Sequence, residues 1–307
     1  MRTPLTLSFA TLSAVPVRGG SALRLIAAAG IALLTVSLGA AHAFPGRSGR
    51  LLLLTCDPTA ESQRASQIRT MLPNGRDFRT IAKFESTSNY CNVDRAAWSP
   101  NGRAILYSTG TDVWTIRPDG KRRRRLLDAG DYAAWSPNGR EIVFAERVED
   151  NKSALFRVRR DGGGLRRIMP GMESDVYAPS WSPDGRTIAF TRYYQGEESI
   201  WTVGANGSRL RQVNPRGRWP DWSPDGKRII FTDRLSVWTM APGGNRRRRL
   251  TPQVLEVETL QATFSPDGRK IAFVRGWRAW VMTAGGKHVH QVSPVDAVVG
   301  QVDWQPR

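Results

Sequence analysis

The chain is poor in the residues that most often carry chemistry. Among 307 residues there are two cysteines, three histidines and six lysines. Three histidines leave little for imidazole acid–base work or for a histidine-held metal. Neither a G-x-S-x-G nucleophile elbow nor an H-E-x-x-H zinc motif occurs. No long pattern of helical period is present, and no apolar run beyond residue 43 is long enough to cross a bilayer. These absences argue against an enzyme, and no cofactor is expected. What the chain has in excess is arginine. With only six lysines among 45 basic residues, and 27 acidic ones, arginine supplies the formal charge of +18.

The N-terminal segment stands apart. Residues 1–43 contain no acidic residue, carry Arg2, Arg18 and Arg24, and run apolar from Leu25 to Ala41. They close on Ala41-His42-Ala43, an A-x-A cleavage signature, which predicts a secretory signal peptide over 1–43. An uncleaved membrane anchor is the alternative, but Gly30, Gly39 and many alanines weaken a span. No cysteine follows the apolar run, which argues against a lipoprotein anchor. The chain is therefore expected to be exported, to the periplasm or the cell exterior. Without this segment 42 basic and 27 acidic residues remain, a surface that attracts anions. Arginine-rich codon usage yields the same excess without any ligand. Cys56 and Cys91 both fall in the mature part, where an oxidising compartment favours a bridge.

From residue 98 the sequence repeats. WSPNG stands at 98–102 and 135–139, WSPDG at 181–185 and 222–226, FSPDG at 264–268, and a worn copy, WQP, at 304–306. The copies lie 37, 46, 41, 42 and 40 residues apart. After each intact copy comes a short β-rich run, at 105–108, 142–145, 188–191, 229–232 and 271–274. A second run, a Gly-rich turn and a third run follow. Pro at the first central turn position, Asp or Asn at the second and Gly after them suit a tight reversal. With the run that leads into each Trp, every unit holds four strands. Four strands repeating near 40 residues predict an all-β, six-bladed β-propeller of four-stranded antiparallel blades.

WSPDG, a basic residue, Ile-Ala-Phe, a second strand and a DG turn resemble the TolB-like β-propeller repeat family. The resemblance covers essentially all of residues 44–307. TolB itself carries a separate N-terminal domain before its propeller; with about fifty residues between Ala43 and the first WSPNG, that domain is expected to be absent here. The particular role of TolB therefore does not transfer directly. Residues 49–54, 68–71 and 78–81 mirror strands two to four of a blade whose Trp-bearing strand is missing. The orphan strand at 301–304 supplies it, so the ring is predicted to close by pairing the two ends of the propeller.

In such a blade the loops after strands two and four open on one end, opposite the SPDG turns. Cys56 and Cys91 fall on that end and enclose a loop of about 35 residues. The same end holds the channel mouth, built from residues just before each Trp. Three positions ahead stand Arg95, Tyr132, Ala178, Trp219, Gln261 and Gln301; four ahead stand Asp94, Asp131, Tyr177, Arg218, Leu260 and Gly300. Charged, aromatic and amide groups converging on a concavity predict a binding site there for an envelope or extracellular protein or peptide. Ordinary solvated rim residues are the bland alternative. Asp94, Asp131 and Asp175 offer oxygens suited to calcium, but no loop has the spacing of a dedicated site. The basic runs 121–125 and 246–249 are assigned to outermost strands, where charge resists edge-to-edge pairing. An Arg-rich surface binding a polysaccharide or other acidic polymer is the second functional expectation, and a hydrolase or lyase acting at the mouth the third. A monomer is expected.

Overall fold

The computed structural model describes residues 48–56, 66–84, 95–109, 112–149, 152–169, 174–253 and 257–306. The predicted signal peptide, Cys91 and Asp94 lie outside the described residues. Among the described residues, twenty-four strands form six separate four-stranded antiparallel sheets. Blade one orders β24 (Val298–Pro306), β1 (Ser48–Cys56), β2 (Ser66–Met71) and β3 (Arg79–Phe84) from the inside outward. Blade two holds β4 (Arg95–Trp98), β5 (Ile105–Thr109), β6 (Asp112–Ile116) and β7 (Arg124–Leu127). Blade three holds β8 (Asp131–Trp135), β9 (Glu141–Glu149), β10 (Lys152–Arg159) and β11 (Arg166–Arg167). Blade four holds β12 (Asp175–Trp181), β13 (Thr187–Tyr194), β14 (Glu197–Gly204) and β15 (Arg211–Asn214). Blade five holds β16 (Arg218–Trp222), β17 (Ile229–Thr232), β18 (Val237–Met240) and β19 (Arg248–Arg249). Blade six holds β20 (Thr259–Phe264), β21 (Lys270–Arg275), β22 (Arg278–Thr283) and β23 (His290–Gln291).

The ring closes as the orphan Trp304 implies. Leu51 pairs with Trp304 and Leu53 with Val302, so the last strand completes the first blade. Closure places the two most distant strands of the propeller in one sheet and removes a free radial edge.

The SPDG turn is held by its own side chains. In blade four the Ser182 hydroxyl donates to Asp184 Oδ1 (2.6 Å) and accepts the Thr187 amide (2.9 Å), while Asp184 accepts the Arg186 amide (3.0 Å). The same set recurs around Ser99, Ser136, Ser223 and Ser265. Gly185 takes a positive φ of 68°, which a side chain would strain. Above the turn, the Trp packs into the seam with the preceding blade: Trp98 against Leu52, Leu54 and Ile68, Trp181 against Val143 and Leu155. The core is thus a set of inter-blade layers, each an apolar sandwich of two sheet faces.

The outermost strands are shorter than the basic runs suggest. Only Arg124 and Arg125 of the first run, and Arg248 and Arg249 of the second, lie in strand; the rest fold into the preceding turn. There a residue adopts left-handed backbone in blade after blade: Asp77, Arg122, Arg209, Arg246 and His288 all have φ between 53° and 57°.

Candidate functional site

Each innermost strand begins at the mouth end and runs down the channel toward its SPDG turn. In blades three to six it carries a β-bulge near its start, between Asp131 and Ala134, Tyr177 and Ser180, Arg218 and Asp221, and Thr259 and Ala262. The bulged residues Tyr132, Ala178 and Trp219 sit at φ 56°, 53° and 52°. Left-handed backbone costs about 1–2 kcal/mol for an L-residue, so three aligned instances are a built feature of this end. Blade two has no such bulge, because Arg95 pairs in unbroken register with Ser108.

The positions predicted to form the mouth divide into two sets. Gln261, Gln301 and Arg95 are sunk in the channel wall, the most exposed of them at 1%. Gln301 Oε1 accepts the Ala96 amide at 2.8 Å and its Nε2 donates to the Ala96 carbonyl at 2.7 Å. Gln261 Oε1 repeats the acceptor half of this on Val302 of blade one, at 3.4 Å. These amides therefore satisfy the inner edge of the next blade, which has no strand beside it. Arg95 crosses the channel from blade two to the Tyr132 carbonyl (2.6 Å) and the Pro179 carbonyl (3.3 Å). These three residues were expected at the rim. The side chains of an innermost strand point into the seams and the channel, which is why they serve blade-to-blade cohesion instead.

The second set stays at the rim on blades three to five. Tyr132 and Tyr177 are half-buried, with ring centroids 5.3 Å apart. The Tyr177 hydroxyl donates to Glu198, and burial together with that carboxylate pushes its pKa well above the usual phenol range. Arg218 pairs with Glu258, lies 3.7 Å from Glu198 and stacks its guanidinium 4.0 Å from the Trp219 ring centroid. Trp219 is 4% exposed, so its plate supports the arginine from below. Arg234 reaches the same Glu198 at 3.8 Å. Glu198, Arg234 and Glu258 belong to this cluster although no position rule anticipated them; they come from outer strands and loops, outside the Trp-anchored register.

The channel also holds carboxylates that sequence reasoning missed. Asp221 and Asp303, each immediately before its Trp, are fully buried. Asp221 accepts the hydroxyls of Ser180 and Thr263 from the flanking blades, both at 3.0 Å. Burial pushes its pKa up to about 8, with Asp303 adding to the rise. Asp303 accepts the Trp98 and Trp304 amides, both at 2.7 Å, yet burial still lifts it to about 7. Asp131 is raised to about 6 by desolvation, against the Tyr132 amide and the charge of Arg95. Desolvation in turn lowers Arg95 to about 9, opposed by Asp303, Asp221 and Asp131. The signal was present: the position before Trp reads Ala, Ala, Ser, Asp, Thr, Asp around the ring.

Among the described residues no group of three or more His, Cys, Asp or Glu is placed to hold a metal ion. Asp131 instead bonds its neighbour's amide at 2.7 Å, and Asp175 accepts the Ser153 hydroxyl at 3.0 Å. No described helix is long and apolar enough to cross a membrane. No described cysteine is free; Cys56 ends β1, and its expected partner falls outside the described residues. The basic runs are partly engaged within the fold, since Arg123 stacks 4.4 Å from the Trp114 ring centroid and Arg249 6.0 Å from that of Trp238.

A family model described as the TolB beta propeller domain matches residues 130–306. The chain belongs to the TolB β-propeller family. It is 42% identical over 53 residues to the Tol-Pal system protein TolB of Syntrophus aciditrophicus, across 17% of this chain and 12% of that protein. An uncharacterized protein of Agrobacterium fabrum is 26% identical over 120 residues, 34% of this chain and 41% of that one. The matched stretches thus span less than half of either relative. TolB from Acinetobacter baumannii has a similar solved structure, with a TM-score of 0.70 at 18% identity over 84% of this chain and 67% of that one. A putative TolB from Agrobacterium tumefaciens gives 0.65 at 20% identity, over 78% and 92%. At these identities the structural likeness is one of fold.

Proposed function

We propose that this TolB-family propeller is an exported, non-catalytic binding module that takes a protein or peptide partner at its channel-mouth face. The observation that carries the reading is the strained arc on blades three to five. Among the bulges, those of blades three to five hold Tyr132, Ala178 and Trp219 in left-handed backbone at one end of the channel. Beside them stand two half-buried tyrosines and the Arg218–Glu258 ion pair. Aromatic and arginine side chains on a preorganised backbone are what peptide recognition favours, because little side-chain freedom is lost on binding. The composition of residues 1–43 supports export, and the name of the Syntrophus relative places that protein in the Tol-Pal system.

The test is affinity capture from envelope and culture-fluid fractions with wild type and with Tyr132→Ala/Tyr177→Ala, followed by binding measurements on any captured species. A partner retained by wild type and lost by the variant supports the reading. Equal capture by both, or capture by neither, counts against it.

A further inference from the structure

A recess lies at the opposite end of the molecule from the mouth, in the seam between blades three and four. It has a volume of about 810 Å³ and is walled by the SPDG turn of blade four, the turn after β14 and Arg157 of β10. Arg157, Arg186, Arg209 and Arg211 line it, and no Asp or Glu does. Arg157 is partly neutralised by Glu141 at 3.4 Å. Among the described residues Arg186, Arg209 and Arg211 form no ion pair, although Arg186 lends its charge to Asp184 in the same turn. A smaller hollow of about 450 Å³ adjoins it at Asn206 and adds Arg167. The blades approach closely there, where a Cβ on Gly207 would stand 2.3 Å from the Ile168 carbonyl oxygen. The two hollows together form an open trench along one seam.

We propose that this trench is a binding site for a linear acidic polysaccharide. Three unpaired guanidiniums facing one recess suit carboxylate groups repeating along a chain, since each presents a planar fork for a bidentate contact. Between them stand Thr187, Asn206 and Ser208, short polar groups that suit sugar hydroxyls. The trench has no aromatic side chain on which a base would stack, which disfavours a nucleic acid. This site is separate from the mouth, and it does not use the 121–125 or 246–249 runs, of which Arg123 and Arg249 stack on the protein's own aromatics.

The experiment is calorimetric titration of the full chain with size-defined oligomannuronate, and with a neutral maltooligosaccharide of equal length. Arg209→Gln/Arg211→Gln is compared with wild type and with Arg246→Gln/Arg248→Gln, which removes the same charge elsewhere. The expected result is salt-sensitive binding of the acidic sugar only, weakened about tenfold or more by the trench variant and not by the control. Equal weakening by both variants would make net charge the cause and overturn the site. Binding of the neutral sugar, or none of either, would overturn it as well. Inorganic polyphosphate and phosphatidylglycerol vesicles are parallel arms. If either binds through Arg209 and Arg211 while oligomannuronate does not, the polysaccharide assignment is wrong.

Discussion

The side-chain amide of Gln301 grips the backbone of Ala96 in the next blade, accepting its N–H at 2.8 Å and donating to its carbonyl at 2.7 Å. Ala96 lies in β4, whose outer side pairs with β5 and whose inner side has no strand partner. Gln301 therefore acts as one residue of a missing strand, at the seam where the closing strand meets blade two. Gln301→Leu keeps the bulk and leaves both Ala96 groups buried and unpaired. Urea unfolding should show a loss of about 2–4 kcal/mol. A loss below about 0.5 kcal/mol would mean water satisfies that edge.

The buried Asp221 makes stability fall as pH rises. Its folded pKa of about 8 lies above the ordinary aspartate value of 3.8, so the folded state binds the extra proton. Stability from this group is full below the unfolded pKa and declines through the window up to about pH 8. Asp221→Asn should unfold at a higher temperature than wild type at pH 8, with a shallower pH slope between 5 and 8. The hydroxyls of Ser180 and Thr263 can each turn to suit an amide. Parallel pH profiles for the two proteins would sink the argument.

Asp303 should respond in the opposite sense despite its similar burial. Both its oxygens accept fixed backbone amides, from Trp98 and Trp304. Asp303→Asn turns one acceptor into an NH₂ facing an N–H, and a backbone donor cannot rotate away. A destabilisation of about 1–3 kcal/mol is expected in thermal or denaturant melts at pH 7. A stabilised Asn variant would refute the hydrogen-bond assignment.

Arg246 holds left-handed backbone at φ 54° before β19. Arg246→Gly relieves that strain and should leave stability unchanged or raise it by up to about 1 kcal/mol. Arg246→Val, β-branched in the same conformation, should lower it by about 1–2 kcal/mol. Chemical denaturation of the pair gives the comparison; equal stabilities would show that the turn relaxes.

A Cys56–Cys91 bridge would close a loop of 35 residues. Intact mass under non-reducing conditions should show the loss of two hydrogens relative to the reduced protein. Cys56→Ser/Cys91→Ser should cost about 3–4 kcal/mol by the chain-entropy argument. Two alkylatable thiols in the exported, unreduced protein would exclude the bridge.

Much of the fold was legible because the turn chemistry is local. Ser, Pro, Asp and Gly at fixed offsets can bond only within their own six residues, so each copy announces a strand reversal wherever it stands. Even the closure of blade one could be argued from Trp304 having no following repeat and residues 49–54 having no preceding one. The candidate site was less legible. Which residue precedes each Trp by three was readable, but its orientation was not. Gln301 and Gln261 serve the neighbouring blade while Tyr132 stays at the rim, a difference that depends on where a bulge interrupts the pairing.

The sequence alone determined the repeat, the blade count and the ring, because these rest on contacts between residues close in the chain or on a periodic pattern. Tertiary structure decided what the ring encloses. Arg95, Asp221 and Asp303 come from three blades and acquire their shifted titration only when burial strips their water and brings them together. The arginine trench arises likewise, from two blades meeting at one seam. Charge and solvation depend on distance through space, and six sheets closing on a common axis set those distances.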